Sequence, residues 1–171
     1  MAVLIIFAGL PGVGKSTIAA ELARCLEAVY LRADTIEQAM RDGGLTNDQI
    51  GGNGYWVACC VASENLRLGR TVVVDSVNPW LLTREMYRKV ATDAGVRYLE
   101  VEVVCSDRAL HRTRAEGRKT VITGHTNPTW REIEERDYHP WDTDPLRIDT
   151  SNTEPADVVR TIRDVIDAWI G

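Results

Sequence analysis

Phenylalanine occurs once in this chain, histidine three times and cysteine four times. Cys25, Cys59, Cys60 and Cys105 form no CxxC pair and no Cys/His ligand spacing, which excludes a zinc ribbon or finger. Cys59 and Cys60 are adjacent, a poor geometry for a disulfide between them. All four read as small buried apolar residues, and a reducing cytoplasm suits them. His111, His125 and His139 are scattered and give no metal site. No run is apolar enough, for long enough, to span a membrane. The opening MAVLIIFAGL lacks a positive leader and runs directly into PGVGKS, so it reads as a buried strand rather than a signal segment. Basic charge is not in excess: the net charge is −5 and the pI about 5.2. That balance argues against the broad footprint of a nucleic-acid binder, although a local basic patch is compatible with it. Internal repeats, linkers and low-complexity tracts are also missing, and 171 residues fit one domain, 1–171.

What is present alternates. Val3 to Ala8 predicts a strand, Lys15 to Glu27 a helix, 29–32 a strand and 35–40 a helix, with 42–47 a loop. Gly54 to Leu68 predicts a helix with Gly69 past its end. TVVVD at 71–75 has the form of a strand buried on both faces. Thr83 to Ala94 follows as a helix, 98–105 as a strand, Asp107 to Glu116 as a helix and Thr129 to Tyr138 as a short one. The last strand is 146–149, and the last helix runs from about Pro155 to Ile170, with an apolar stripe through Val158, Val159, Ile162, Val165, Ile166 and Trp169. Strands alternating with helices predict an α/β fold around a mainly parallel sheet.

Between the first strand and helix lies Gly9-Leu10-Pro11-Gly12-Val13-Gly14-Lys15-Ser16-Thr17, which satisfies G-x-x-x-x-G-K-[ST]. Glycines let successive backbone N–H groups turn inward as an anion nest, and the helix that follows presents its positive end to the same anion. Gly12, Val13, Gly14, Lys15, Ser16 and Thr17 are therefore the nucleotide-binding candidates. Lys15 reaches for the β- and γ-phosphates, and Ser16 for Mg²⁺. Asp75 ends a buried strand and is the second metal candidate, or else a turn cap. Asp34 follows the second strand, where it can take a proton from an attacking hydroxyl or cap the helix at 35–40. Between 108 and 119 lie Arg108, Arg112, Arg114, Arg118 and Lys119. Most read as a solvated helix face. Arg112 and Arg118 are the two expected to serve the nucleotide, with 115–130 as a mobile lid that carries cations in and excludes water. Five tryptophans stand against the single phenylalanine. Trp169 fits the last helix's stripe, while Trp56, Trp80, Trp130 and Trp141 are candidates for an acceptor pocket's walls, with core packing the simpler role.

GLPGVGKST, the ADT after the second strand, GRTVVVDSVNP, the R-x-R helix and the closing IDTSN occur in that order over nearly the whole chain. Together they resemble the small P-loop kinases that include chloramphenicol phosphotransferase, with gluconate kinase, zeta toxins and polynucleotide kinase as more distant relatives. The resemblance implies a sheet order of 2-3-1-4-5, ATP and Mg²⁺ as cofactors, and transfer of phosphate to a hydroxyl. It implies Asp34 as the base, Arg112 stacked on the adenine, and the loop 149–152, with Ser151, against that base. Polynucleotide kinases carry an arginine three residues after the base aspartate; this chain has Glu37, which would repel an acceptor's phosphate. The function expected is thus an ATP-dependent kinase of a small hydroxyl-bearing molecule such as an antibiotic, nucleoside or sugar. A polynucleotide or nucleotide kinase is the enzymatic alternative. A nucleotide-binding switch is the alternative from another class, although N-K-x-D is absent and the D-x-x-G at Asp48–Gly51 does not end a strand.

Overall fold

The computed structural model describes residues 1–169. Its centre is a five-stranded, wholly parallel sheet in the order β2-β3-β1-β4-β5. The strands are β1 (Val3–Ala8), β2 (Val29–Arg32), β3 (Val72–Asp75), β4 (Arg97–Val104) and β5 (Leu146–Asp149). VLIIFA of β1 is buried at every position, because the central strand of such a sheet is covered on both faces. One face carries Ile5, Phe7, Val73, Val101 and Val103 against α1 (Lys15–Cys25) and α8 (Pro155–Asp167). The other carries Leu4, Ile6, Val72 and Val74 against α4 (Asn53–Arg67) and α5 (Leu81–Ala94). The remaining helices are α2 (Ala33–Asp42), α3 (Asn47–Ile50), α6 (Arg108–Gly117) and α7 (Trp130–Glu134). Among the described residues no helix is long and apolar enough to cross a membrane.

Strand order reverses at β1, which has β3 on one side and β4 on the other. At such a point the connections diverge to opposite faces and leave a crevice beyond the strands' C-terminal ends. The glycine-rich turn, Asp75 and Asp34 all emerge there.

Element ends depart from the sequence reading where capping decides them. Helix α1 stops at Cys25, and Glu27 lies beyond it with φ 49°. The expected loop at 42–47 gives way at once to α3, closed by a reciprocal Thr46–Gln49 capping box. Helix α7 ends at Glu134 rather than Tyr138, so 135–145 is irregular. The expected end of the last helix, Ile170, lies outside the described residues. The cysteines depart too: Cys59 is buried, but Cys25 and Cys60 are exposed and Cys105 is intermediate.

Residues 138–143 run as a strap across the β4 face. Trp141 Nε1 donates to Glu102 at 2.8 Å and Thr143 Oγ1 to Glu100 at 2.8 Å. Under the strap lies Arg84 of α5, 0% exposed. It donates to the carbonyls of Asn78, Pro79, His139 and Pro140, and its guanidinium carbon sits 4.0 Å from the Trp141 ring centre and 5.1 Å from that of Tyr138. The strap and the segment after β3 are thereby tied to one cation.

Candidate active site

Gly12 and Gly14 take positive φ of 89° and 92°, which turns the intervening amides inward and starts α1 directly at Lys15. A Cβ on Gly12 would stand 2.8 Å from Ala115 Cβ of α6, so the turn can pass under that helix only as glycine. Three further contacts hold it. His111 Nε2 donates to Pro11 O at 2.8 Å, Thr150 Oγ1 donates to Val13 O at 2.8 Å, and Gly9 N donates to Val77 O at 3.1 Å.

At the base of the turn, Asp75 is 2% exposed. Lys15 Nζ is 3.4 Å away, Tyr30 Oη donates to it at 2.7 Å, and Arg32 Nε lies at 3.7 Å. Burial alone would raise the Asp75 pKa. Lys15, hydrogen bonds from Tyr30 and Ser16, and Arg32 outweigh it and hold the carboxyl below its usual range. Burial and the same carboxylate push the Tyr30 phenol far up, so it stays a donor. Neither Tyr30 nor Arg32 stands out in the sequence as a site residue. Their signal is register: Arg32 pairs across the sheet with Asp75, and Tyr30 shares its face two residues earlier. A hydroxyl and a carboxylate are hard oxygen donors, so Ser16 and Asp75 suit Mg²⁺. Among the described residues no cluster of three or more His, Cys, Asp or Glu forms a metal site without it.

Two cavities meet at this point. The first, about 560 Å³, contains Gly12, Gly14, Lys15, Ser16 and Thr17 on one side and Arg114, Thr150 and Thr153 on the other. The second, also about 560 Å³, lies between α2, α3 and the 118–129 segment; Asp34, Glu37, Val77, His125 and Arg136 are among its walls. Lys15 and Arg118 line both.

Asp34 does not cap its helix. It lies inside α2, whose N-cap is Arg32, and its carboxylate accepts from Arg32 Nη2 at 3.2 Å with Arg118 Nη2 at 3.9 Å. Arg118 therefore joins Asp34 to the phosphate side. Arg112 does not reach either cavity. Its Nε donates to Glu116 at 2.9 Å on the exposed face of α6. Arg114, by contrast, lines the first cavity and donates to Thr150 O and Oγ1, both at 3.1 Å. Two residues along a helix turn through about 200°, which separates these arginines onto opposite faces. Stepping i, i+3, i+4, i+7 from His111 gives His111, Arg114, Ala115 and Arg118, so the correct face was readable. Ser151 is not in the cavity wall; its amide donates to Asp149 at 2.9 Å, and Thr150 and Thr153 take its place.

None of Trp56, Trp80, Trp130 and Trp141 lines the second cavity. Trp56 and Trp80 are exposed, Trp141 covers Arg84, and Trp130 packs edge-on to His111 at 4.9 Å. His125, which carries no recognisable motif, does line it. Burial lowers its pKa while Asp34 pulls it up. Glu37 stands 3.6 Å from Arg41, and burial, then Asp34, raise its pKa while Arg41 only partly counters them.

Residues 118–129 arch over both cavities. Asn127 Nδ2 donates to Arg118 O at 2.9 Å, and a Cβ on Gly124 would meet Gln38 Nε2 of α2 at 2.9 Å.

Comparison with known proteins agrees with this fold. A probable adenylyl-sulfate kinase of Aeropyrum pernix is 29% identical over 168 residues, covering 85% of this chain and 82% of that protein. The Mycobacterium tuberculosis APS kinase CysC, in complex with AMPPNP and APS, superposes with a TM-score of 0.73 at 22% identity, covering 97% of this chain and 98% of that one. A gluconokinase from Sinorhizobium meliloti superposes with a TM-score of 0.62 at 21% identity, covering 97% and 95%. Residues 4–134 match the AAA domain family AAA_33, and on that match the chain belongs to it.

Proposed function

We propose that this protein is an ATP-dependent kinase that moves the γ-phosphate to a hydroxyl of a small molecule. The observation that carries the reading is the meeting of two cavities at shared cations. Lys15 and Arg118 line both, with the phosphate turn on one side and Asp34 on the other. Phosphoryl transfer asks for that arrangement: donor and acceptor held in line, cations at the moving group and a carboxylate at the attacking hydroxyl.

In the reading proposed, residues 12–17 cradle the phosphates, and Arg114 with the Thr150–Thr153 loop borders the base. Asp34 accepts the acceptor's proton as its oxygen bonds to the γ-phosphorus. The bond from that phosphorus to the bridging oxygen breaks, and ADP leaves with the electron pair. Lys15 and Arg118 balance charge on the transferred group. Mg²⁺, held by Ser16 and Asp75, would supply further neutralisation of the phosphates. The chain acts as one domain, 1–171, with 115–130 as its lid. Relatives named for adenylyl sulfate and gluconate support a small acceptor rather than a nucleic acid. Within the kinases we group it with those that chloramphenicol phosphotransferase represents.

Labelled ATP offered with sugars, nucleosides, antibiotics and oligonucleotides tests the proposal. Asp34→Asn is expected to abolish transfer, by about 10²–10⁴-fold as for loss of a positioned base, and to leave ATP affinity nearly unchanged. Transfer only to 5′-hydroxyl oligonucleotides would overturn the small-molecule reading. Full activity in Asp34→Asn would remove Asp34 from the mechanism.

A further inference from the structure

The walls of the second cavity define what can occupy it. None of its lining residues is phenylalanine, tyrosine or tryptophan, and its apolar side chains are confined to Pro11, Ile50, Val77 and Pro128. A nucleoside or aryl antibiotic needs an apolar or aromatic slot for the face of its ring, and the His125 imidazole with those four side chains is all that this cavity offers for one. Charged, amide and hydroxyl groups supply most of the lining. That lining matches a ligand that is itself hydrogen-bonding over most of its surface.

Helix α2 supplies the decisive wall. Asp34, Glu37 and Arg41 lie at i, i+3 and i+7, on one face of the helix, and all three line the cavity. Two carboxylates therefore stand side by side. Asp34 is taken up by Arg32, at 3.2 Å. Glu37 has acceptor capacity to spare: its cation, Arg41, is 3.6 Å away, beyond a good hydrogen bond, and Arg41 Nε is already donating to Asn47 at 3.0 Å. Behind Glu37 stands Gly54 of α4, where a Cβ would come within 2.5 Å of Glu37 Cγ. Gly54 thus gives the Glu37 side chain the room it occupies at the cavity wall.

Taking the kinase reading above as its basis, we propose that the acceptor is a non-aromatic polyol, of the sugar or cyclitol class, and that Glu37 is its specificity residue. One hydroxyl meets Asp34 and is phosphorylated. A second donates to the Glu37 carboxylate and fixes which hydroxyl reacts. Glu37 does not exchange a proton in the reaction; it binds.

The test uses ADP release by the full-length protein with hexoses, cyclitols, their single-deoxy analogues, cyclohexanol and nucleosides. Transfer is expected to the polyols, with kcat/KM at least about tenfold above that for cyclohexanol or any nucleoside. Glu37→Met is expected to raise KM for the polyol about tenfold or more while kcat stays within about threefold, with Glu37→Gln partly restoring it. Gly54→Ala, which keeps the Glu37 carboxylate but displaces it, is expected to raise KM in the same direction. An ATP-induced rise in melting temperature checks that each variant is folded. A nucleoside preferred over every polyol overturns the inference and leaves the kinase reading standing. So does an unchanged KM in Glu37→Met. ATP binding without transfer to any acceptor overturns both.

Discussion

Arg84 shows how much a single side chain can decide. It is 0% exposed, yet among the described residues no carboxylate pairs with it. Its charge is met by four backbone carbonyls and two aromatic faces. A buried guanidinium is tolerated when its donors are all engaged and the ring quadrupoles face it. Removing it leaves those carbonyls without a donor in a dry place, which costs more than the net worth of the bonds themselves. Arg84→Met keeps much of the volume and is expected to destabilise the fold by about 2–4 kcal/mol, as for buried carbonyls left without a donor. A urea midpoint lowered at constant m-value is the readout. A loss below about 1 kcal/mol would show that the strap holds without its cation. Nothing in the sequence around Arg84 marks it, because its partners are backbone carbonyls, two of them 55 and 56 positions further on. Asp75 and Lys15 were the opposite case. A phosphate turn and a buried strand ending in a carboxylate are local patterns, and local patterns are legible.

Elements are legible where a short strand is bounded by polar turn residues and least so where the chain is irregular. Strands β1, β2 and β5 fall within the bounds expected for them, β1 buried throughout and β2 and β5 half-buried at the sheet's edges. The strap escaped because its contacts are made by alternating polar and aromatic groups with no helical or strand period. Helix α6 falls where its sequence places it, and its buried face, His111 and Ala115, is the one that carries Arg114 to the first cavity. The ends of β4 and β5 carry a further consequence. Asp149 Oδ1 accepts from Ser106 N at 3.1 Å and from Ser151 N at 2.9 Å, which links the two strand ends and shapes the loop that borders the first cavity. Hydrogen bonds from Ser106, then Ser151, hold the Asp149 carboxyl well below its usual range. A carboxylate whose folded pKa is depressed contributes stability fully above its unfolded pKa, about 3.9. That contribution disappears as pH falls through the folded value. Asp149→Asn is therefore expected to lose stability at neutral pH and to lose less than the parent on acidification below pH about 4. Urea midpoints at pH 6 and pH 3 read the difference. Equal acid slopes in the two proteins would show that Asp149 contributes nothing through its charge.

At the scale of the whole molecule, the sheet is the fixed part and the 118–129 segment is the part that can respond to ligands. The sheet's central strands are buried on both faces, whereas 118–129 has neither helix nor strand and Val121 within it is 85% exposed. Yet Arg118, Lys119 and Val121 line the first cavity, and Arg118, His125 and Asn127 line the second. If the segment serves as the proposed lid, a nucleotide that fills the first cavity gains contacts with it only when it lies down, and binding would shift the population toward the closed form. Arg118 and Lys119 are also the residues after which trypsin cuts, so the protease reports the open form directly. Where opening and closing are fast relative to cleavage, the rate follows the open population. A nucleotide analogue that binds only the closed form, at one hundred times its Kd, lowers that population by up to about a hundredfold. AMPPNP with Mg²⁺ is therefore expected to slow cleavage at Arg118 and Lys119 strongly. Lys15→Met, which removes the cation between the two cavities, should show little protection at the same concentration. Asp34→Asn should be protected as well as the parent, because Asp34 belongs to the acceptor side. Cleavage after Arg118 at the same rate with and without nucleotide, in a protein whose melting temperature the nucleotide raises, would mean that the segment takes no part in enclosing the phosphates.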